Sequence, residues 1–429
     1  MSNTKPHSTH DGNASALAEL LAGRVMAMCD FVAEHTEVPG EITRRYLTPP
    51  THQVHALIRS WMDELGMDSR IDAVGNLIGH LPAETNDHQA KRLLIGSHID
   101  TVPAGGRYDG VLGVMVGLAA VQCLQGTALP FGVDVIALSE EEGIRFRLPY
   151  IGSAALCGCF QPDWLQRTDS QGTSLASAIQ QYGLRLSDLD ETGYSTDQII
   201  GFLEPHIEQG PLLASVDCPL GVVEAIAGQS RLLVRFTGRA GHAGTTPMQL
   251  RHDALVASAR WIDQIDDQAK RIDGLRLTVG QCSVSPGARN VIVGQCDLSL
   301  DIRHAEDAAR IRGVEMAEQL GDSIARANQV EFETLENQSQ PASTMDRDLC
   351  DAIRRSLRVK GCDEFSLVSG AGHDSAMMST KFPTAMLFLR QRRGISHHPD
   401  EDVDIDDVAL AIDVLATTIK QIASENHAS

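Results

Sequence analysis

The chain has 429 residues, with 36 Lys and Arg against 57 Asp and Glu, a formal net charge of −21; it is long enough for two or three domains and too acidic for a phosphate-backbone binder. Nine cysteines, an odd number scattered through a large chain, fit reduced thiols rather than a disulfide framework, and Cys157-Gly158-Cys159 lacks the spacing of a zinc knuckle or redox pair. No run approaches the roughly 18 apolar residues of a membrane helix, and the polar start MSNTKPHSTHDGN has no apolar signal core, so a cytoplasmic protein that binds neither membrane nor nucleic acid is expected.

Residues 1–13 read as a disordered tail, which sets His7 and His10 apart from any site. Apolar residues at helical spacing then predict helices over 14–35 and 51–66. Strand LLIGSH (93–98), helix GVLGVMVGLAAVQCLQ (110–125) and strand VDVIALS (133–139) follow in the order of a parallel sheet covered by helices, the α/β class, in which ligands bind beyond the carboxyl ends of the strands. From 223 to 337 the pattern changes to RLLVRFTG, DALVASARWIDQIDDQA, RLTVGQCSV, NVIVGQCDLSLDIR, EDAARIRGVEMAEQLGDSIARAN and VEFETLEN, a ferredoxin-like βαββαβ unit inserted into the larger domain. Within it Leu298, Leu300 and Ile302 alternate with Asp297, Ser299, Asp301 and Arg303. The first domain, begun over 1–222, resumes over 338–429 with LCDAIRRSLRVKG, TAMLFL and a terminal helix DDVALAIDVLATTIKQIA.

The chemistry gathers at the strand ends. After LLIGSH comes GSHIDTVPAGGRYDG, placing His98, Asp100 and Asp109 in one strand end and its loop; the Asp100 carboxylate could hold one nitrogen of His98 while the other binds a metal. Gly105, Gly106 and Gly110 flank Asp109 in a turn that lets its carboxylate approach. After VDVIALS come Glu140, Glu141 and Glu142, whose mutual repulsion is costly unless solvent or cations offset it. Singly, the glutamates read as a solvated run and His98 as a hydrogen-bonded loop residue. At the carboxyl ends of two strands of one sheet, the metal reading prevails. HIEQG (His206, Glu208, Gln209), GHAGTTPM (His242) and GISHHPDE (His397, His398) add histidines in rigid glycine and proline contexts, each weak alone.

Taken in order, GSHIDTVPAGGRYDG, SEEEGIRF, HIEQG, GHAGTTPM, SPGARNVIVG, DIRH, SGAGHDS and GISHHPDE resemble the M20-type metallo-amidohydrolases of the carbamoylase and allantoate amidohydrolase branch, over roughly residues 40–420. The segment GTSLASAIQQYG (172–183) resembles a stretch of that branch. The resemblance implies two divalent ions, Zn²⁺ or Mn²⁺, with His98 and His397 as terminal ligands on different ions, Asp109 bridging, Glu142 on one ion and His206 on the other. Asp100 would support His98, and Glu141 would be the general base. The family's usual SHNP is here SHHP, and His397 is preferred over His398 because it directly follows the serine. The ferredoxin-like insertion would be a lid and dimerisation domain, implying a homodimer, and its His242 would polarise the substrate carbonyl. Gln209, Asn290 and Arg303 match positions that hold substrate, Arg303 as a fork on a carboxylate; its alternative is a surface ion pair with Asp301. His373 would line the pocket or support a loop, and His52, His55, His80, His252 and His304 are left as structural or surface residues.

A ureido carbonyl is deactivated by two nitrogen lone pairs, so its hydrolysis calls for a Lewis acid together with a general base, Glu141, to take the proton of the attacking water and pass it to the leaving nitrogen. The resemblance points to a small ureido carboxylate as substrate. Allantoate, hydrolysed to ureidoglycine, ammonia and carbon dioxide in purine nitrogen recovery, comes first, on ITRRYLTPPTHQVHALIRSWMDELGM and GRYDGVLGV. An N-carbamoyl-L-amino acid or N-carbamoyl-β-alanine is the alternative; a peptidase or deacylase, and a non-catalytic binding protein, rank below.

Overall fold

The computed structural model describes residues 9–85 and 90–426, which form two compact units: residues 9–85, 90–224, 345–369 and 373–426, and residues 225–344 with 370–372. Of the expected tail, residues 1–8 lie outside the described residues, whereas 9–13 begin the helix Thr9–Glu34. No helix among the described residues is long and apolar enough to cross a membrane.

The first unit is built on a sheet whose centre is parallel. Gly132–Leu138, Arg92–His98, Ile199–Ile207 and Thr384–Leu389 run side by side in that order, and Leu77–Leu81 and Leu220–Ile226 add antiparallel strands at either flank. The predicted strands at 93–98 and 133–139 are therefore neighbours. Their connecting helix, Val111–Gln122, is apolar on every face, and it is buried from Val111 to Val121. It lies close on the sheet because Gly113 has no side chain: a Cβ there would stand 2.0 Å from the Pro205 carbonyl oxygen.

Ile199–Ile207 was not expected as a strand. Proline is rare in central strands because it cannot donate to the ladder, yet Pro205 sits in one. The ladder with Arg92–His98 stops at Ile95 opposite Leu203, two residues before the proline. Beyond that point the two strand ends, carrying Ser97 and His98 on one side and Glu204 and His206 on the other, are joined by side chains instead, Ser97 Oγ donating to Glu204 Oε1 at 3.1 Å.

The second unit has the expected βαββαβ order. Its four-stranded antiparallel sheet runs Glu331–Gln340, Gly228–Thr237, Gln295–His304, Arg276–Ser285, with Ala254–Ala269 and Asp307–Asn328 as its helices. Leu298, Leu300 and Ile302 are buried with Phe236 and Trp261, as the alternation predicts. The unit extends beyond the expected limit at 337 because Glu331–Gln340 stays paired with Gly228–Thr237 as far as Gln340 opposite Gln229.

If close packing at Gly113 sets the seat of the helix, Gly113→Ala will destabilise the protein by about 1–3 kcal/mol, the usual cost of overpacking. Urea denaturation checks this, and an unchanged midpoint would show that the contact yields freely.

Candidate metal centre

His98 closes its strand, Glu140–Glu142 follow Leu138, His206 lies near the end of Ile199–Ile207, and His397 is in the loop after Leu389, so the carboxyl ends of all four parallel strands feed one place. Asp109 lies at its centre, 3.9 Å from His98 Nε2, 3.4 Å from His206 Nε2 and 3.2 Å from His397 Nε2. Glu142 Oε1 is 3.5 Å from His397 Nε2. Four sets of potential ligand atoms among the described residues each fall within 4.8 Å: His98–Asp109–His206 and Asp109–Glu142–His397, which share Asp109, and also His98–Glu141–Glu142 and Glu204–His206–His373.

The two buried imidazoles are oriented through their backbones. His98 Nδ1 lies 3.0 Å from the Asp100 carbonyl and His206 Nδ1 lies 2.9 Å from the Ile207 carbonyl, so each Nδ1 carries the donated proton. The Nε2 atoms are left facing each other at 3.4 Å. With both Nε2 atoms unprotonated, two lone pairs converge beside a carboxylate, an arrangement relieved by a proton on one of them or by a cation between them. The buried Asp109 Oδ2 and Gln209 Oε1, neither with a hydrogen-bond partner among the described residues, fit the same reading. Histidine and carboxylate donors in this number suit a divalent ion of the zinc or manganese kind.

Asp100 does more than stand beside His98. Its carboxylate is 3.6 Å from His98 Nδ1, beyond good hydrogen-bond length, and instead accepts the backbone N–H groups of Glu141 and Glu142, both at 3.1 Å. It therefore holds His98 by its carbonyl and the glutamate turn by its side chain. That turn is not a solvated run: Glu140 and Glu141 are buried, and Glu140 adopts a left-handed φ of 56°. Gln209 at 57° and His397 at 55° share that strained region, a cluster typical of functional sites. Gly110 is needed at φ 67°, since a Cβ there would meet the His98 ring at 2.6 Å.

Of the doubtful pair, His397 faces Asp109, while His398 points to Asp400, whose N–H it accepts at 3.1 Å. Gln209 donates to Asp109 Oδ1 at 2.9 Å, beside the candidate ligands rather than apart from them. His373 is buried edge-on against His206, ring centroids 4.5 Å apart, with Nε2 2.9 Å from Ser369 Oγ. Three carboxylates escaped the motif reading. Glu204 shares the strand of His206, Asp374 accepts from Ser153 Oγ, and Glu401 lies four residues after His397. Period two could have flagged Glu204 beside His206, and the acid following HHPD could have flagged Glu401.

His242, Asn290 and Arg303 belong to the second unit. His242 is exposed, its Nδ1 accepting the Gly244 N–H at 3.1 Å, and its strand pairs with Val291, which puts Asn290 next to it. Arg303 lies elsewhere, on Gln295–His304. Its Nε and Nη2 grip Asp301 at 2.8 and 3.1 Å, the ion pair foreseen as the alternative, and Nη1 donates to the Gly370 carbonyl at 2.6 Å.

An α/β unit with a histidine and carboxylate centre at the ends of its parallel strands defines a metallohydrolase architecture. Residues 94–421 match Peptidase family M20/M25/M40, and the chain belongs to that family, whose metallohydrolases use divalent metals. It is 35% identical to an N-carbamoyl-L-amino acid amidohydrolase of Geobacillus stearothermophilus, over 90% of this chain and 94% of that protein. It is 34% identical to an allantoate amidohydrolase of Bacillus subtilis, over 90% and 93%. A crystal structure of an amidase of the hydantoinase/carbamoylase family from Burkholderia multivorans superposes with a TM-score of 0.87 at 29% identity, covering 94% of this chain and 98% of that one.

The side chains of the site are charged against one another. Burial raises Glu141 well above the carboxylate range, His98 opposing and Glu142, Asp374 and Asp100 adding to it. Burial likewise lifts Glu142 from 4.5 to about 7, against the pull of His98. At His98 burial opposes the cation, but Asp100, Glu141 and Asp109 outweigh it and hold the imidazole well above its ordinary value. A carboxyl raised on folding stabilises below its unfolded pKa and loses that contribution as pH climbs through its folded pKa. The melting temperature of ion-free protein should therefore fall between about pH 4.5 and 7, while the increment from added Mn²⁺ grows over the same interval as ligands shed protons. Scanning calorimetry with and without the ion measures both slopes, and a pH-independent increment would count against these ligands.

Proposed function

We propose that the chain is a metal-dependent amidohydrolase cleaving a ureido C–N bond of a small carboxylate, with allantoate, giving ureidoglycine, ammonia and carbon dioxide, as first candidate. The observation that carries this reading is Asp109 standing in two ligand sets at once, with the buried Glu141 beside them. In this reading His98, Asp109 and His206 would hold one ion and Asp109, Glu142 and His397 the other, with Asp109 shared. When bound, such ions supply Lewis acidity for the substrate carbonyl and lower the pKa of the attacking water.

The residues do the rest. Glu141, adjacent to a ligand and fixed through its N–H by Asp100, takes the proton of the attacking water and returns it to the leaving nitrogen. Gln209, anchored on Asp109, and Asn290 present amide groups to the ureido moiety, and His242 stabilises the charge developing on its oxygen. Arg303 is held side-on by Asp301; two of its five N–H groups take no part in the bonds to Asp301 and Gly370, and these would meet the substrate carboxylate. The second unit is read as the lid and dimerisation element of a homodimer, on the resemblance of GHAGTTPM and DIRH to the family's motifs.

N-carbamoyl-L-amino acids are the second reading, favoured by the 35% identity to a relative of that name. They and allantoate share the ureido group and the carboxylate. Ammonia release from allantoate, N-carbamoyl-β-alanine, N-carbamoyl-L-amino acids and a dipeptide, after chelation and reloading with Zn²⁺ or Mn²⁺, separates the readings; turnover that survives chelation overturns the mechanism.

Glu141→Gln should keep both ions and lose about 10²–10⁴-fold in kcat; near-wild-type turnover would remove Glu141 as base. Arg303→Ala should raise KM for carboxylate substrates and spare an uncharged ureide. Equal effects on both would leave Arg303 as the structural partner of Asp301.

A further inference from the structure

Glu401 belongs to no ligand set, yet one buried carboxylate of this residue is bonded to the backbones that carry two of the proposed ligands. Its Oε2 accepts the N–H groups of Tyr108 and Asp109 at 3.2 and 3.3 Å, and its Oε1 accepts the Ser396 hydroxyl at 2.9 Å and the His397 N–H at 3.2 Å. The two loops are far apart in the chain: Asp109 and Glu401 are 292 positions apart along the sequence. The space is reserved for this side chain. A Cβ on Gly106 would fall 1.8 Å from the Glu401 carboxyl carbon.

We infer that Glu401 is a positioning residue that clamps the Asp109 loop to the His397 loop and so sets the spacing of the second ligand set. The inference rests on the reading of Asp109 and His397 as ligands. His397 needs such a clamp more than the other histidines. Its side chain is half exposed, its φ is left-handed, and its nearest imidazole partners, Asp109, Glu142 and Gln209, all lie on the same Nε2. All four partners of Glu401 are donors, which makes the carboxylate irreplaceable by its isostere. A glutamine there has the same volume but must turn an NH₂ group toward two N–H or O–H donors, so one loop loses its acceptor whichever way the amide points.

The test is equilibrium competition for Zn²⁺ against a chromogenic chelator, on full-length protein verified as folded by circular dichroism. The set comprises wild type, Glu401→Gln, Gly106→Ala, and His397→Ala as control. Loss of an outer-shell partner typically costs about 10–100-fold in metal affinity, and that loss is expected for one ion of the two in Glu401→Gln, with the other ion held as in wild type. Gly106→Ala, which leaves Glu401 in the chain but displaces its carboxylate, should weaken the same ion. A residue of merely structural role would lower the melting temperature of the metal-free protein and leave both affinities alone. Zinc affinities within about twofold of wild type in Glu401→Gln, with His397→Ala strongly weakened, overturn the clamp and leave the ligand reading standing. An unaltered His397→Ala would instead overturn the ligand reading and the clamp with it.

Discussion

The charge balance around Asp109 is the constraint on which the site depends. Two imidazole Nε2 atoms aim at each other across 3.4 Å, a carboxylate sits within 4 Å of three histidines, and three more acids, Glu140, Glu141 and Asp100, are buried behind it. Without a cation the arrangement is tolerated only by protonation: His98 is held charged and the glutamates are pushed toward their neutral forms. Those protons occupy the electrostatic role that a divalent ion fills better, because one ion satisfies several donors at once while a proton satisfies two. The net charge of −21 sharpens the point, since an anionic substrate approaching an acidic chain needs a local positive field.

That convergence is bought by two local departures from regular sheet. Pro205 ends the ladder between the strands of His98 and His206, so the two histidines leave a paired region and face each other across an unpaired one. Gly113 then allows the helix after Asp109 to lie against the Pro205 carbonyl, which carries the Asp109 turn down onto the strand ends. Groups at or just beyond the strand ends complete the centre. Carbonyls of Asp100 and Ile207 fix the imidazole tautomers, and the Asp100 carboxylate caps the N–H groups of the glutamate turn. Rigidity at the centre thus comes from main-chain hydrogen bonds, which are less mobile than a shell of side chains.

Much of this was legible in the sequence, for identifiable reasons. Strands at 93–98 and 133–139 were readable because parallel central strands are continuous apolar runs, and the βαββαβ unit because its edge alternation and long amphipathic helices follow periods two and 3.6. The strand Ile199–Ile207 was missed because Pro205 argues against a central strand, and the feature that hid it is the one that shapes the site. His98, Asp109, Glu142, His206 and His397 could be picked out in order but not brought together, since only tertiary pairing puts the ends of four strands side by side. The second task of Asp100, accepting the N–H groups of the glutamate turn, was hidden because a neighbouring histidine is visible in sequence whereas a main-chain N–H 41 residues away is not. The bonds from Tyr108 and Asp109 to Glu401 were invisible for the same reason, being met only in the fold.

The choice between allantoate and N-carbamoyl amino acids cannot be made by the metal centre. Both substrates present a ureido group to the ions and a carboxylate to a cationic residue; they differ in what hangs from the central carbon, a second ureido group in one case and an amino-acid side chain in the other. A pocket that merely encloses the larger group discriminates weakly, by about 10–200-fold per methylene-sized difference, whereas one that hydrogen-bonds a ureido group rejects an apolar replacement by about 10⁴–10⁵-fold, because its buried polar atoms are then left unpaired. Selectivity for allantoate therefore requires paired donors and acceptors beyond those that serve the scissile bond. Gln209 is committed to Asp109 and Arg303 to Asp301, so neither has the freedom to read the second ureido group as well as its assigned target.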